Sequence, residues 1–226
     1  MTNSSHHTTE FDTQLDSMPI YRRYPILKPS IGIHYGKWGP KLLIIAESHY
    51  LPEKSTIHLD VEKWYEGDHR DLGFVGQENE AAWMNTRGIL SKKNGFRDRG
   101  HAIYRNLEAA LHDSGIPKSH NAFQYVAYMN GFQRPAVKGE TINTSPIDVS
   151  NAVETIQRVI EVLLPDQIII VSSKVRDRIG PQLDALYVAV PHPACRHWNR
   201  KDLKRGPGRL QFVQHVKAAV ERHDNL

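Results

Sequence analysis

One cysteine, Cys195, stands in the 226 residues. A lone thiol closes no disulfide within the chain and builds no Cys-based zinc or iron–sulfur site. That usage fits a reducing compartment, and a cytoplasmic location is the expectation. Long apolar runs are missing too: none approaches the roughly 20 residues of a membrane span, so no membrane partner is expected. The first nine residues are polar and carry no apolar signal core. No internal repeat is visible. The formal charge of +4 and a pI near 9.1 are a mild bias towards polyanions. Hydrophobic residues at 39% and charged residues at 24% are ordinary globular values. They suffice for one domain with a sizeable core.

What is present alternates between strand and helix. Residues 1–20 read as a loose polar arm, and 21–226 as a single domain. Residues 41–46 (Lys-Leu-Leu-Ile-Ile-Ala) form a continuous apolar run, the pattern of a strand buried on both faces. Residues 124–129, 167–171 and 186–190 read as three more strands. Ile103, Leu107 and Leu111 recur at helical spacing and Gly115 closes that helix. Ser145, Pro146 and Asp148 open the clearest helix as cap, first-turn proline and first-turn acid. Val149, Val153, Ile156, Ile160 and Leu163 are its expected buried stripe, and Pro165 stops it. Leu210, Val213, Val216 and Val220 mark a C-terminal helix. Between about 51 and 100 the periodicity weakens, apart from a short helix near 83–90, and the stretch reads as a long loop insertion. The expected architecture is a three-layer α/β/α sandwich around a central four-stranded parallel sheet.

In such sheets a site lies beyond the carboxyl ends of the strands. Here those ends carry Glu47-Ser48-His49-Tyr50, Asn130, Ser172-Ser173 and His192. His192 stands between Pro191 and Pro193, which restrict the backbone on either side of it. The loop after it is basic and aromatic. From 196 to 209 there are six Lys or Arg (Arg196, Arg200, Lys201, Lys204, Arg205, Arg209) against one acid, Asp202. Such a run suits phosphates, and is also what a solvated face looks like.

These motifs together resemble the uracil-DNA glycosylase superfamily. Ala46-Glu47-Ser48-His49-Tyr50 is similar to its first motif, which places water at the scissile bond, and His192-Pro193-Ala194 to its last. Tyr128-Met129-Asn130-Gly131-Phe132-Gln133-Arg134-Pro135 resembles the strand-end asparagine and Arg-Pro of the bacterial thermostable branch. Gly73-Phe74-Val75-Gly76 resembles the segment with that branch's stacking phenylalanine. The chain departs in three ways: Ala46 replaces a glycine, the first motif has no aspartate, and the cluster-binding cysteines are absent.

The resemblance implies a monofunctional DNA glycosylase. It would flip a base out of DNA and hydrolyse its N-glycosidic bond without a cofactor or metal, and act as a monomer. His192 would be the donor to the departing base, and Glu47 and Ser48 would hold the water. Tyr50, Phe74 and Asn130 would line the base pocket, with Phe96 and Tyr104 as rivals to Phe74. Arg134, Arg196, His197, Trp198, Arg200 and Lys201 would contact DNA, a residue at 196–198 filling the gap left by the base. The altered first motif and long insertion point to a modified pyrimidine as an alternative to uracil, in defence against viral DNA as an alternative to repair.

Three other readings compete. A non-catalytic DNA or modified-base binder uses the same fold. A serine hydrolase would place Ser48 on a nucleophile elbow, but Ala46 and Tyr50 occupy the positions that turn reserves for glycine. A metal hydrolase would draw on His49, His58, Asp60 and His69, whose spacing matches no helical His pair.

Overall fold

The structure is a computed structural model that describes residues 6–37, 39–67, 69–91, 96, 101–119, 121–200 and 206–225. In chain order the elements are α1 (Asp12–Leu15), α2 (Pro19–Arg23), β1 (Ser30–Ile31), β2 (Leu42–Ala46) and β3 (Tyr50–Leu51). Then come α3 (Val61–Glu66), β4 (Phe74–Val75), β5 (Glu78–Asn79), α4 (Glu80–Met84), α5 (Thr86–Ser91) and α6 (Ala102–Asp113). The second half holds β6 (Ala127–Asn130), β7 (Ala136–Val137), α7 (Pro146–Leu163), β8 (Gln167–Ile170), α8 (Ser173–Arg178), β9 (Tyr187–Ala189) and α9 (Gly208–Asp224).

The chain is α/β. Its main sheet has five strands in the order β1-β6-β2-β8-β9, all parallel except β1, which runs antiparallel to β6. The expectation of four parallel strands omitted β1. That strand is two residues between Pro29 and Gly32, too short for any periodicity. Gly32 lets it approach: a Cβ there would lie 2.2 Å from the Gln124 carbonyl carbon.

Alternation along β2 splits its apolar run between two cores. Leu43 and Ile45 join one, with Ile156, Val159 and Leu163 of α7. Leu42, Ile44 and Ala46 join the other, with Leu107 and Leu111 of α6 and Phe212 and Val216 of α9. Both faces being covered explains why the strand reads as unbroken hydrophobe.

The helix at 146–163 begins as its sequence dictates. Ser145 and Asp148 form a reciprocal capping box and Pro146 occupies the first turn. Its buried face is rotated from the expected stripe. Asp148, Ala152, Thr155, Ile156, Val159 and Leu163 are buried, while Val149, Val153 and Ile160 pack only partly. Leu164 ends it at a left-handed φ of 46°, just before Pro165.

Two expectations change. The arm over 1–20 is not loose from residue 8 onward. Thr8 N–H donates to the Ile31 carbonyl at 2.8 Å, and Leu15, Met18 and Ile20 are buried in the core. Asp12 is clamped by both terminal nitrogens of Arg87, at 2.8 and 2.7 Å. Phe11, Leu15 and Met18 are one helical face hidden among polar neighbours. The insertion at 51–100 is likewise built rather than loop-like, with α3, the β4–β5 hairpin, α4 and α5. Trp64 anchors it, stacked on Tyr24 with ring centroids 4.3 Å apart.

Candidate functional site

The parallel strands end together, and their last carbonyls and the loops after them are stitched by backbone hydrogen bonds. Gly131 N–H donates to the Ala46 carbonyl, Phe132 N–H to Glu47 and Ala136 N–H to His49, at 2.8–2.9 Å. Register pairs Ala46 with Asn130, so Glu47 and Asn130 leave the sheet side by side. Gly131 permits this closeness. A Cβ there would meet a Val175 methyl at 2.7 Å.

Glu47 is gripped at both carboxylate oxygens. The Thr141 hydroxyl donates to Oε1, and the Ser172 hydroxyl donates to Oε2 at 3.1 Å. Ser172 stands two residues past β8 and caps α8, accepting from Val175 N–H. Thr141 sits on the loop between β7 and α7. That loop is held by the Lys174 ammonium on the Ile142 carbonyl and by Arg134 on the Asn143 carbonyl. Sequence reasoning passed over Thr141 and Ser172 as donors. For Ser172 the strand-end position was a signal; for Thr141 there was none.

His192 follows β9. The Ala194 N–H donates to its Nδ1 at 3.1 Å, so the neutral ring carries its proton on Nε2. Burial lowers its pKa, and the Glu47 charge acts in the opposite sense. The two side chains therefore share one electrostatic environment. Asn106 of α6 fixes the turn by donating to the Pro193 carbonyl at 2.7 Å.

Ser48 is buried, and its hydroxyl makes no hydrogen bond among the described residues. An orphan of this kind costs about 1–3 kcal/mol. Asn130 is 7% exposed, its side-chain amide also without a hydrogen bond among them, while its carbonyl accepts from Gln133. His49 is buried, with its pKa depressed to about 4 by desolvation, so it is a neutral ring at ordinary pH. Tyr50 is 40% exposed at the rim, its phenol pKa raised by burial and by the Glu47 charge.

Glu47, Ser48, Tyr50, Asn130 and His192 thus sit at the carboxyl ends of neighbouring strands. The other expected site residues go elsewhere. Phe74 lies in the β4–β5 hairpin, 74% exposed, in a groove that contains none of these residues. Its rivals Phe96 and Tyr104 are buried in an edge-to-face cluster with Phe123; Tyr104 also packs on Tyr128. Burial within that cluster raises the pKa of both the Tyr104 and the Tyr128 phenols.

Arg134 is a correction. It is 6% exposed and spent internally: Nε and Nη2 form a two-pronged pair with Asp148 at 2.8 and 2.7 Å, and Nη1 donates to the His58 carbonyl. Burial opposes ionisation of Asp148, but Arg134, Ser145 and Tyr65 outweigh it and hold the pKa below the usual carboxylate value. Trp198 is a second correction. It is 1% exposed, packed on Phe212 of α9, and anchors the basic loop. His197 is half-buried and accepts from Arg196 Nε at 3.3 Å. Arg196 and Arg200 remain exposed on this loop; Lys201 lies outside the described residues.

Among the described residues the rival sites are not assembled. None of these residues is hydrogen-bonded to the Ser48 hydroxyl as a base. Asp60 caps α3, accepting from Lys63 N–H at 2.9 Å. Among the described residues no group of three or more His, Cys, Asp or Glu could hold a metal ion, and none of their helices is long and apolar enough to cross a membrane. A separate cavity of about 270 Å³, lined by His34, Leu42, Tyr125 and Val216, lies where β2 begins, away from the strand ends. No protein-family model matches this chain, and no curated protein matches it in sequence.

Proposed function

We propose that this protein is a monofunctional DNA glycosylase of the uracil-DNA glycosylase kind, acting on uracil or a modified pyrimidine. The observation that carries the reading is that Glu47, held at both oxygens, and His192, presented with its proton on Nε2, both follow parallel strands of one sheet. Breaking the C1′–N1 bond leaves positive charge on the sugar and negative charge on the base. Glu47 stabilises the first and takes a proton from the attacking water. His192 Nε2–H donates to the base oxygen as charge collects there. The Ser48 hydroxyl, unpartnered among the described residues, helps seat the water, and the Asn130 amide supplies a donor and an acceptor to a pyrimidine edge. Tyr50 walls the pocket. Arg196 and Arg200 meet phosphates from the Trp198-anchored loop.

The test is base release from DNAs carrying uracil, hypoxanthine, hydroxymethylcytosine or glucosylated hydroxymethylcytosine, with unmodified DNA as control. Alkali then cuts any abasic site. Cleavage of one substrate, lost in His192→Ala and Glu47→Ala, is the expected result and names the base. Binding of DNA without release from any substrate turns the reading to a non-catalytic base-binding module.

A further inference from the structure

The ring of His192 is aimed by a peptide unit, and that unit is held from another element. Pro193 has no N–H, so the first backbone donor after the ring is that of Ala194. It donates to His192 Nδ1 at 3.1 Å. The other side of the same peptide unit is the Pro193 carbonyl, which accepts from Asn106 Nδ2 at 2.7 Å. In a planar trans peptide the C=O and the N–H point in opposite directions. Fixing the carbonyl therefore fixes the direction of the N–H.

Asn106 stands 87 positions before Pro193 and is carried by α6. Leu107, Ala110 and Leu111 of this helix are buried in one core with Leu42 and Ile44 of β2. At its far end Asp113 accepts from Nε and Nη2 of Arg209 on α9. The helix is thus anchored independently of the turn and presents its amide as a fixed donor. Within the turn, the Cys195 N–H donates to the His192 carbonyl at 2.9 Å.

Nδ1 can accept an N–H only while it carries no proton. The bond from Ala194 therefore favours the neutral ring over the imidazolium, and Nε2–H over Nδ1–H. Donation to the Pro193 carbonyl also polarises the peptide and makes its N–H a better donor. Without the Asn106 amide the peptide plane loses its outside hold, and Nδ1 becomes available to a proton.

We propose that Asn106 is a positioning residue for His192: through the Pro193–Ala194 peptide it fixes which ring nitrogen carries the proton. The consequence for base release rests on the glycosylase reading; the state of the ring does not.

The experiment is a long-range proton–nitrogen NMR correlation on protein labelled with nitrogen-15 in its histidines, titrated across the histidine range. His192→Gln assigns the signal among the 13 histidines. Asn106→Leu and Asn106→Ala remove the donor, and both replacements favour a helix more than asparagine does. Among the described residues Glu47 is the charge that acts on the ring, and both variants leave it in place. Wild-type His192 is expected as the Nε2–H tautomer. In both variants the Nδ1–H form should appear beside it, and the pKa of the ring should rise by about 1, the worth of one neutral hydrogen bond. Base release from the substrate found in the panel should slow about tenfold with DNA affinity unchanged. A wild-type ring protonated on Nδ1, or a ring that keeps its tautomer and pKa in both variants, overturns the proposal. A ring that shifts in both variants of a protein that releases no base upholds it and removes the glycosylase reading instead.

Discussion

Glu47 is held by two hydroxyls that come from elsewhere in the chain, Thr141 from a loop and Ser172 from the turn between β8 and α8. A hydrogen bond to a charged group is worth about 1.5–3 kcal/mol. Thr141→Ala is therefore expected to lower the rate constant of base release about tenfold with little change in DNA affinity. Thr141→Ser should recover most of it. Single-turnover kinetics on the substrate found in the panel separate these quantities; an unchanged rate would show that the grip on Glu47 is idle. Ser172→Ala should lose rate likewise. It should also cost about 1 kcal/mol of stability, because Ser172 caps α8 as well. Glu47, His192 and Asn130 were legible as residues because each stands directly after an apolar run. Their partners were not, because Thr141 meets Glu47 across 94 positions and Ser172 across 125.

Between elements, two side chains expected at the DNA turn out to hold the site together. Arg134 joins the loop after β6 to Asp148 at the start of α7 and to the insertion through the His58 carbonyl. Removing one member of a buried pair leaves the other uncompensated, and Arg134→Ala is expected to cost about 3–5 kcal/mol in denaturant unfolding. Arg134→Lys should recover little, since an ammonium cannot span both Asp148 oxygens and the His58 and Asn143 carbonyls. Trp198 ties the basic loop to α9, backed by Arg209 N–H on its carbonyl at 2.9 Å. Trp198→Ala is expected to cost about 3–5 kcal/mol. Arg196→Ala should leave stability within about 0.5 kcal/mol and weaken DNA binding instead. Equal losses of stability in the two variants would contradict this division of roles. An Arg-Pro motif and an Arg-His-Trp run look the same in sequence whether they point at solvent or at a carboxylate behind them.

At the scale of the whole molecule the buried histidines set the pH response. His49, His58, His192 and the half-buried His7 and His215 all have lowered pKa values, with burial the first cause of each. A neutral ring stabilised by the fold contributes its full stability above the unfolded value of 6.5. That contribution is lost as pH falls from there through the folded value. For His49 the interval runs from 6.5 down to about 4, and its share is on the order of 3 kcal/mol. The melting temperature is therefore expected to be level from pH 8 to 7 and to fall by about 10 °C towards pH 4.5. His49→Gln should make that fall shallower. Asp148 adds a further loss below the normal carboxylate range, because its folded pKa is depressed. A melting temperature that rises on acidification would contradict the buried, neutral state of these rings.

The α/β class, the parallel strands β2, β6, β8 and β9, the capped helix α7 and the strand-end position of Glu47, Asn130 and His192 were determined by local pattern. Apolar runs, periodicity, caps and prolines act within a few residues and are written along the chain. The edge strand β1, the buried face of α7 and the inward turn of Arg134 and Trp198 were decided by tertiary structure. So were the two hydroxyls on Glu47 and the separation of Phe74 from the strand ends. Each depends on which distant segment supplies a partner, and a buried hydrogen bond or a packed ring is worth more than the local preferences it overrides. Sequence spacing does not encode that choice, because the partners meet only after the sheet has brought them together.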